Sequence, residues 1–300
     1  MADAENIVGR GSAHGDGRWW PARAKVNLFL HITARRPDGY HCLDSLVVFP
    51  ELADFIKVEA DDDLNLEITG PFAAGLPVDG RNLVMQAAEI LADAAGIKAR
   101  ARIELQKALP VAAGIGGGSA DAAATLLALR DLWQVPIDCS ALHELAVRLG
   151  ADVPVCLRSR SSLMRGIGDK IADVAALPAF ALLLVNPDRA VATADVFRRL
   201  TQPLRAHKPW SGASGGDLAP VLNRTRNDLE AAALELAPVV GEVLTDLAAL
   251  PSCRLARMSG SGATCFGLFD NLAKAEAGAA YLSARRGDWW IRASAVQGCG

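Results

Sequence analysis

Residues 110–120, Pro-Val-Ala-Ala-Gly-Ile-Gly-Gly-Gly-Ser-Ala, constrain the fold more than any other stretch of this 300-residue chain. Arg102 to Leu109 predicts a strand before them, and Ala122, Leu126, Leu129 and Trp133 predict the apolar stripe of a helix after them, with Ser119 as its cap. Consecutive glycines let backbone N–H groups approach a ligand, and the helix adds the positive end of its dipole, so phosphate is the natural guest. A tight turn between strand and helix is the plainer reading of the same residues. Two familiar phosphate patterns fail on spacing. No Gly-Lys-Ser/Thr follows the loop, and a GxGxxG fingerprint begun at Gly114 and Gly116 puts Ser119 in its third place. The acid that a dinucleotide fold wants about twenty positions on is Asp131, which lies in the helical stretch instead.

The rest of the chain mixes strands and helices without regular alternation, which favours α+β over a doubly wound sheet. Alternation from Lys25 to Ile32 predicts a strand, with Val26, Leu28, Leu30 and Ile32 on one face and Lys25, Asn27, Phe29 and His31 on the other. Strand-like runs follow at Ser45–Phe49, Phe55–Glu59 and Leu64–Ile68, then a helix from Asn82 to Ala95 stopped by Gly96. Ser140–Leu149 reads as a short helix closed by Gly150, after which Pro154 is expected to hold Val153 extended beside Asp152. In the second half, Ala179–Val185 reads as a buried strand and Asn227–Leu250 as helix divided at Pro238. Strands at Arg254–Met258 and Ala263–Phe269 flank a second glycine-rich turn, Met258-Ser-Gly-Ser-Gly-Ala-Thr264, and a helix and a final strand (Trp289–Ala295) close the chain.

Composition narrows the function. Half the residues are hydrophobic (51%) and 22% are charged, a globular profile, and a formal charge of -3 speaks against a broad nucleic-acid surface. Cys42, Cys139, Cys156, Cys253, Cys265 and Cys299 form no CxxC pair, and the five histidines form no HExxH, so a reducing cytoplasm and no protein-built metal cluster are expected. No apolar run is long enough to span a bilayer, and the first twenty residues lack the apolar stretch of a signal peptide. They read as a loose tail, with order starting near Pro21.

Pro21-Ala-Arg-Ala-Lys-Val-Asn-Leu-Phe-Leu-His-Ile32, Arg36-Pro-Asp-Gly-Tyr-His41, the 110–120 loop, Gly150-Ala-Asp-Val-Pro-Val155 and Ser259-Gly-Ser-Gly-Ala-Thr264 come in an order that resembles the GHMP kinases throughout. Arg165-Gly-Ile-Gly-Asp169, Asn186-Pro187 and Asn227-Asp-Leu-Glu230 agree, so only the tail falls outside the resemblance. It implies a two-lobed α+β fold after a tail over 1–20: a ribosomal-protein-S5-like N-terminal lobe (21–175) and a ferredoxin-like C-terminal lobe (176–300). Within that superfamily, Pro37-Asp-Gly-Tyr-His41 directly after the first strand, Gly114-Ile-Gly-Gly-Gly-Ser-Ala-Asp-Ala-Ala123 and Gly150–Val155 together resemble the cytidyl-specific branch. That implies transfer of the γ-phosphoryl group of ATP, with Mg²⁺, to the tertiary 2-hydroxyl of a small cytidyl diphosphate, 4-diphosphocytidyl-2-C-methyl-D-erythritol.

Residue by residue, the resemblance implies Asp152 as base, Lys25 as the charge beside it, and Asn27 and Thr193 as substrate contacts. Tyr40 and Phe197 would sandwich the cytosine ring, and His41 would hydrogen-bond it. ATP would lie along Pro110, Val111, Ala112, Ala113, Gly114, Ile115, Gly116, Gly117, Gly118, Ser119 and Ala120, with Lys107 and Asn82 near the nucleotide and Mg²⁺ near Ser119. Many relatives carry glycine where this chain has Ala112 and Ala113. The rivals are a homoserine or mevalonate kinase, which has no cytosine to hold, and a non-catalytic nucleotide-binding module, which would not need Asp152 and Lys25.

Overall fold

The computed structural model describes residues 18–174, 177–200, 205–210 and 217–298. They form two compact units: residues up to Ala24 with Leu52–Val111 and Gly116–Arg160, and Lys25–Glu51 with Ala112–Ile115 and Ser161 onward.

The first unit is built on a four-stranded sheet of β1 (Trp19–Arg23), β4 (Ala53–Glu59), β6 (Ala101–Gln106) and β5 (Leu64–Thr69), in that spatial order. β5 and β6 are parallel, and the crossover that such a pair needs is supplied by a helix. That helix, α1 (Leu83–Ala95), buries Val84, Met85, Ala88, Leu91 and Ala92 along one side. Asn82 caps its start, and Gly96, at φ 66°, ends it. α2 (Gly117–Leu132) packs on α1, β1 and β4, and α3 (Cys139–Leu149) and α4 (Val153–Arg158) follow.

Three expectations are corrected here. Trp19 and Trp20 belong to β1 rather than to a tail, because Trp20 and Ala22 alternate inward and Pro21 is tolerated on an edge strand; the rest of the expected tail, 1–17, lies outside the described residues. The cap of α2 is Gly116, at φ 63°, with Ser119 inside the first turn. Val153 is helical rather than extended, because Pro154 sits in the first turn of α4, where no N–H is needed.

The second unit contains two antiparallel sheets. One runs β10 (Leu255–Met258), β11 (Cys265–Phe269), β9 (Phe180–Asn186), β12 (Trp290–Val296). Helices α5 (Thr193–Arg198), α6 (Ala219–Leu222), α7 (Glu230–Leu236) and α8 (Val239–Ala248) lie between β9 and β10, and α9 (Leu272–Ser283) between β11 and β12. This is the split βαβ order of a ferredoxin-like sheet. Leu183, Val185, Val240, Val243, Leu247 and Phe269 are central to its apolar core.

The other sheet is β2 (Val26–Arg35), β3 (His41–Val48), β7 (Ser162–Gly166) and β8 (Lys170–Asp173). Its last two strands have no counterpart in the sequence reading. β2 carries two register shifts: Asn27 faces Val47 but Phe29 faces Leu46, and Ile32 faces Leu43 but Ala34 faces Cys42. Each inserts one residue, Leu28 and then Thr33, and turns the following side chains over. Lys25, Asn27, Phe29 and His31 therefore do not share one face. Asn27 lies with Leu30, Ile32, Ser45 and His41, whereas Phe29 and His31 lie with Leu46 and Asp44 on the reverse.

Candidate active site

The second unit brings the two glycine-rich segments together. Ser259 Oγ donates to the Gly114 carbonyl (3.0 Å), and the Thr264 N–H donates to the Ala113 carbonyl (3.1 Å). A Cβ on Gly114 would stand 2.5 Å from the Ser259 carbonyl oxygen, so only glycine fits there. Asn227 holds the second turn open from behind: its Nδ2 donates to the carbonyls of Met258 (2.9 Å) and Gly260 (2.8 Å). β2 is tied to both segments. The Lys25 N–H donates to the Ile115 carbonyl (2.8 Å), and the Asn27 N–H donates to Ser259 Oγ (3.1 Å). Lys25 and Asn27 are both buried.

The same face of the β2–β3 hairpin carries the residues expected at the base. His41 packs on Phe197 with ring centroids 5.2 Å apart, and burial, then Arg35, lower the His41 pKa. Tyr40 stands next to them, 60% exposed, at the end of the Arg36–Gly39 turn. Thr193, the first residue of α5, meets Ser261 of the second glycine turn through their hydroxyls (2.8 Å). Thus Asn27, Thr193 and the two glycine segments form one hydrogen-bonded group, while His41 and Phe197 form a second.

Within the 110–120 loop, Ala112, Gly114 and Gly116 have φ values of 50°, 72° and 63°. Alternating left-handed residues are the backbone pattern of an anion nest. Ala112 adopts the left-handed conformation despite its methyl, at a cost of about 1–2 kcal/mol. Pro110, Ala113, Ile115 and Ala120 are buried, and Val111 and Gly118 are exposed. Gly117, Gly118 and Ser119 supply the first N–H groups of α2, which have no partner within the helix.

Lys107 sits beneath that turn rather than at the surface. Its ammonium is clamped between Asp54 and Asp121 (2.7 Å to the latter), and lies 3.2 Å from where a Gly117 Cβ would be. Asp54 also accepts the N–H groups of Ala108 (2.6 Å) and Leu109 (2.8 Å), fixing the strand's exit into the loop. Burial drives Asp121 up to about 7 in spite of Lys107. Burial pulls Lys107 down, but the two carboxylates more than offset it and hold the ammonium above its ordinary pKa.

Asn82 spends its side chain on structure, accepting from the Val84 N–H (3.0 Å) and donating to the Pro77 carbonyl (2.8 Å). Asp152 stands half-buried immediately before α4, and its carboxylate does not cap that helix.

Ser45, Ser259, Asn227, Asp54 and Asp121 were not singled out from the sequence for the parts they play in these networks. The Asn227-Asp-Leu-Glu230 and Ser259–Thr264 segments were the available signals for two of them.

On the reverse face of the hairpin, ligand atoms of His31, Asp44 and His207 lie within 4.8 Å of one another. The set does not suit a cation. His31 Nε2 accepts the Arg226 N–H (3.2 Å), so the neutral ring carries its proton on Nδ1. Burial, then Arg226, lower His31 to about 4 and keep its ring neutral, so what speaks against a cation is that Nε2 is committed to Arg226 and that Arg165 already binds Asp44 (3.0 Å).

Comparison with known proteins follows these features. Residues 82–160 match the GHMP kinase N-terminal domain and residues 211–287 the GHMP kinase C-terminal domain. A 4-diphosphocytidyl-2-C-methyl-D-erythritol kinase of Rhodospirillum rubrum is 50% identical over 92% of this chain and 92% of its own. One of Cereibacter sphaeroides is 50% identical over 92% of this chain and 98% of its own. A crystal structure of a 4-(cytidine 5'-diphospho)-2C-methyl-D-erythritol kinase superposes with a TM-score of 0.73 at 36% identity, covering 94% of this chain and 99% of that one. Homoserine kinase from Cytophaga hutchinsonii shares the fold, with a TM-score of 0.70 at 18% identity over 95% of this chain and 96% of that one.

Proposed function

The chain belongs to the GHMP kinases, in the branch of the 4-diphosphocytidyl-2-C-methyl-D-erythritol kinases, and from that premise we propose that it transfers the γ-phosphoryl group of ATP to the 2-hydroxyl of 4-diphosphocytidyl-2-C-methyl-D-erythritol. The observation that carries the reading beyond relatedness is the shared face of Asn27 and His41 on the β2–β3 hairpin. An alcohol contact and a base contact lie along one surface, as a cytidyl diphosphate of a sugar alcohol needs.

Phosphoryl transfer asks a protein mainly for positioning and charge stabilisation. The backbone N–H groups of the 110–120 loop and of the first turn of α2 cradle the triphosphate. Asp152 takes the proton of the reacting hydroxyl, Lys25 stabilises the charge that develops, and Asn27 and Thr193 position the alcohol. Lys107 supports the loop from beneath, and Asn82 shapes the start of α1 beside the nucleotide. Mg²⁺ accompanies ATP and neutralises phosphate charge. The half-buried Ser119 hydroxyl, in the first turn of α2, is an oxygen donor suited to it. We place the enzyme in the cytoplasm, without a nucleic-acid partner. No helix of the described residues is long and apolar enough to cross a membrane. The lobe division at 21–175 and 176–300 is kept as part of the proposal, since the two family matches fall on either side of it.

The test is ATP consumption with Mg²⁺ on the cytidyl substrate, its uridyl analogue, mevalonate and homoserine. Turnover on the cytidyl compound alone is expected. Turnover only on another alcohol would keep the kinase and remove the roles given to Tyr40, His41 and Phe197.

Tyr40→Ala is expected to raise KM for the cytidyl substrate by the equivalent of about 1–3 kcal/mol for a lost base stack. Because Tyr40 is exposed, the melting temperature should not move. An unchanged KM would put the base elsewhere.

A further inference from the structure

Asn27 presents an acceptor whose direction is set by a neighbour. Ser45 is fully buried, and its hydroxyl has one proton to give. The Phe29 carbonyl, 2.6 Å away, can only accept, so it takes that proton. The remaining lone pairs of Ser45 Oγ can then only receive a donor, and Asn27 Nδ2 supplies it at 2.8 Å. The Asn27 amide therefore has one orientation. Its Oδ1 is buried, without a hydrogen-bond partner, and about 3.4 Å from where a Gly260 Cβ would be, at the second glycine turn. A buried acceptor left without a donor is unfavourable, and a ligand hydroxyl would satisfy it.

We propose that Ser45 is a positioning residue that locks the Asn27 amide so that Oδ1 is the acceptor offered to a hydroxyl of the alcohol substrate. This rests on the kinase reading above and deepens it. Asn27 touches the substrate; Ser45 acts through Asn27. The device lies on the face shared with His41, where the functional reading puts the alcohol. With the amide turned over, a donor would meet the substrate hydroxyl, and Ser45 would face two acceptors with one proton.

The experiment is steady-state kinetics on wild type, Ser45→Ala and Ser45→Thr, with ATP and the cytidyl alcohol varied separately. Ser45→Ala frees the amide to turn and should lower kcat/KM for the alcohol by about 10- to 100-fold, with KM for ATP within about twofold. Ser45→Thr keeps the hydroxyl and should return to within about fivefold of wild type. An active wild type with an unaffected Ser45→Ala overturns this proposal alone. So does a loss shared equally by both substrates and matched by a lower melting temperature, or a Thr variant as poor as Ala. A wild type without turnover on the cytidyl alcohol overturns the functional reading itself, and this proposal with it.

If Ser45→Ala does not fold, the side-chain amide of Asn27 is read in the wild type by ¹⁵N-edited NMR. One slowly exchanging Nδ2 proton is expected from the bond to Ser45, and two fast ones overturn the lock.

Discussion

Asp152→Asn is expected to cut kcat by about 10²- to 10⁴-fold, the usual worth of a positioned general base, while leaving the dissociation constant of ATP nearly unchanged. The amide keeps the volume and hydrogen-bonding shape of the carboxylate but cannot take the proton of the attacking hydroxyl. Structure favours this as a clean experiment. The carboxylate is not committed to capping α4, and the helix start depends on Pro154 and on the Val153 N–H, which donates to the Gly150 carbonyl (3.1 Å). The isosteric amide also leaves the backbone bond from the Cys156 N–H to the Asp152 carbonyl (3.2 Å) in place, so folding is expected to survive, and a circular dichroism melt checks it. Single-turnover kinetics would locate the loss in the chemical step. Turnover within about tenfold of wild type would remove Asp152 as the base and leave positioning as the main source of rate.

Lys107→Met should produce the largest loss of stability, about 3–5 kcal/mol, the range seen when one partner of a buried ion pair is removed. The change leaves two carboxylates facing each other with no cation, in a place where Lys107 is only 3% exposed. Asp121→Asn should cost far less. The amide can still accept from Lys107, and burial already drives the Asp121 carboxyl up to about 7, so only part of a charge is lost at neutral pH.

The linkage has a definite sign. A carboxyl raised in the folded state above its ordinary value of 3.8 favours folding most at low pH, and that share fades as pH rises through about 7. Urea unfolding of both variants at pH 6 and pH 8 separates the effects. Equal losses for the two variants would mean that shape rather than charge holds this site together.

The sequence made some of this legible for physical reasons. Glycines at 114, 116, 117 and 118 after a strand announce backbone that must approach something; Gly114 and Gly116 take positive φ, and Gly117 and Gly118 open α2. Apolar spacing located α1, α2, β9 and the division of helix at Pro238 to within a few residues. Hydrogen-bond register, by contrast, leaves no trace in an alternating pattern. Leu28 is apolar like its neighbours, so nothing in the letters marks it as an inserted residue. Asp54 and Asp121 read as ordinary charges, and Lys107 as a nucleotide contact rather than a buried clamp, because burial of a charge is decided by partners distant in sequence. Ser45 was passed over within an apolar run. Its role depends on a carbonyl sixteen positions away on a paired strand.

The Leu28 insertion bears on which changes of chain length this strand can accept. Adding or removing a residue elsewhere in β2 would exchange the two sides of everything beyond it, sending Leu30 and Ile32 outward from the core. Removing an inserted residue does not, since the partners on either side already align across it. Leu28 and Thr33 are thus the two positions where β2 could shorten without reversing its outlook. They are unequal. The Leu28 carbonyl is taken by buried Arg257 (2.7 Å), which also holds the carbonyls of Leu222 (3.0 Å) and Thr225 (2.8 Å). Deletion at Leu28 would strand one arm of a buried guanidinium, so natural length variation in this strand should collect at Thr33.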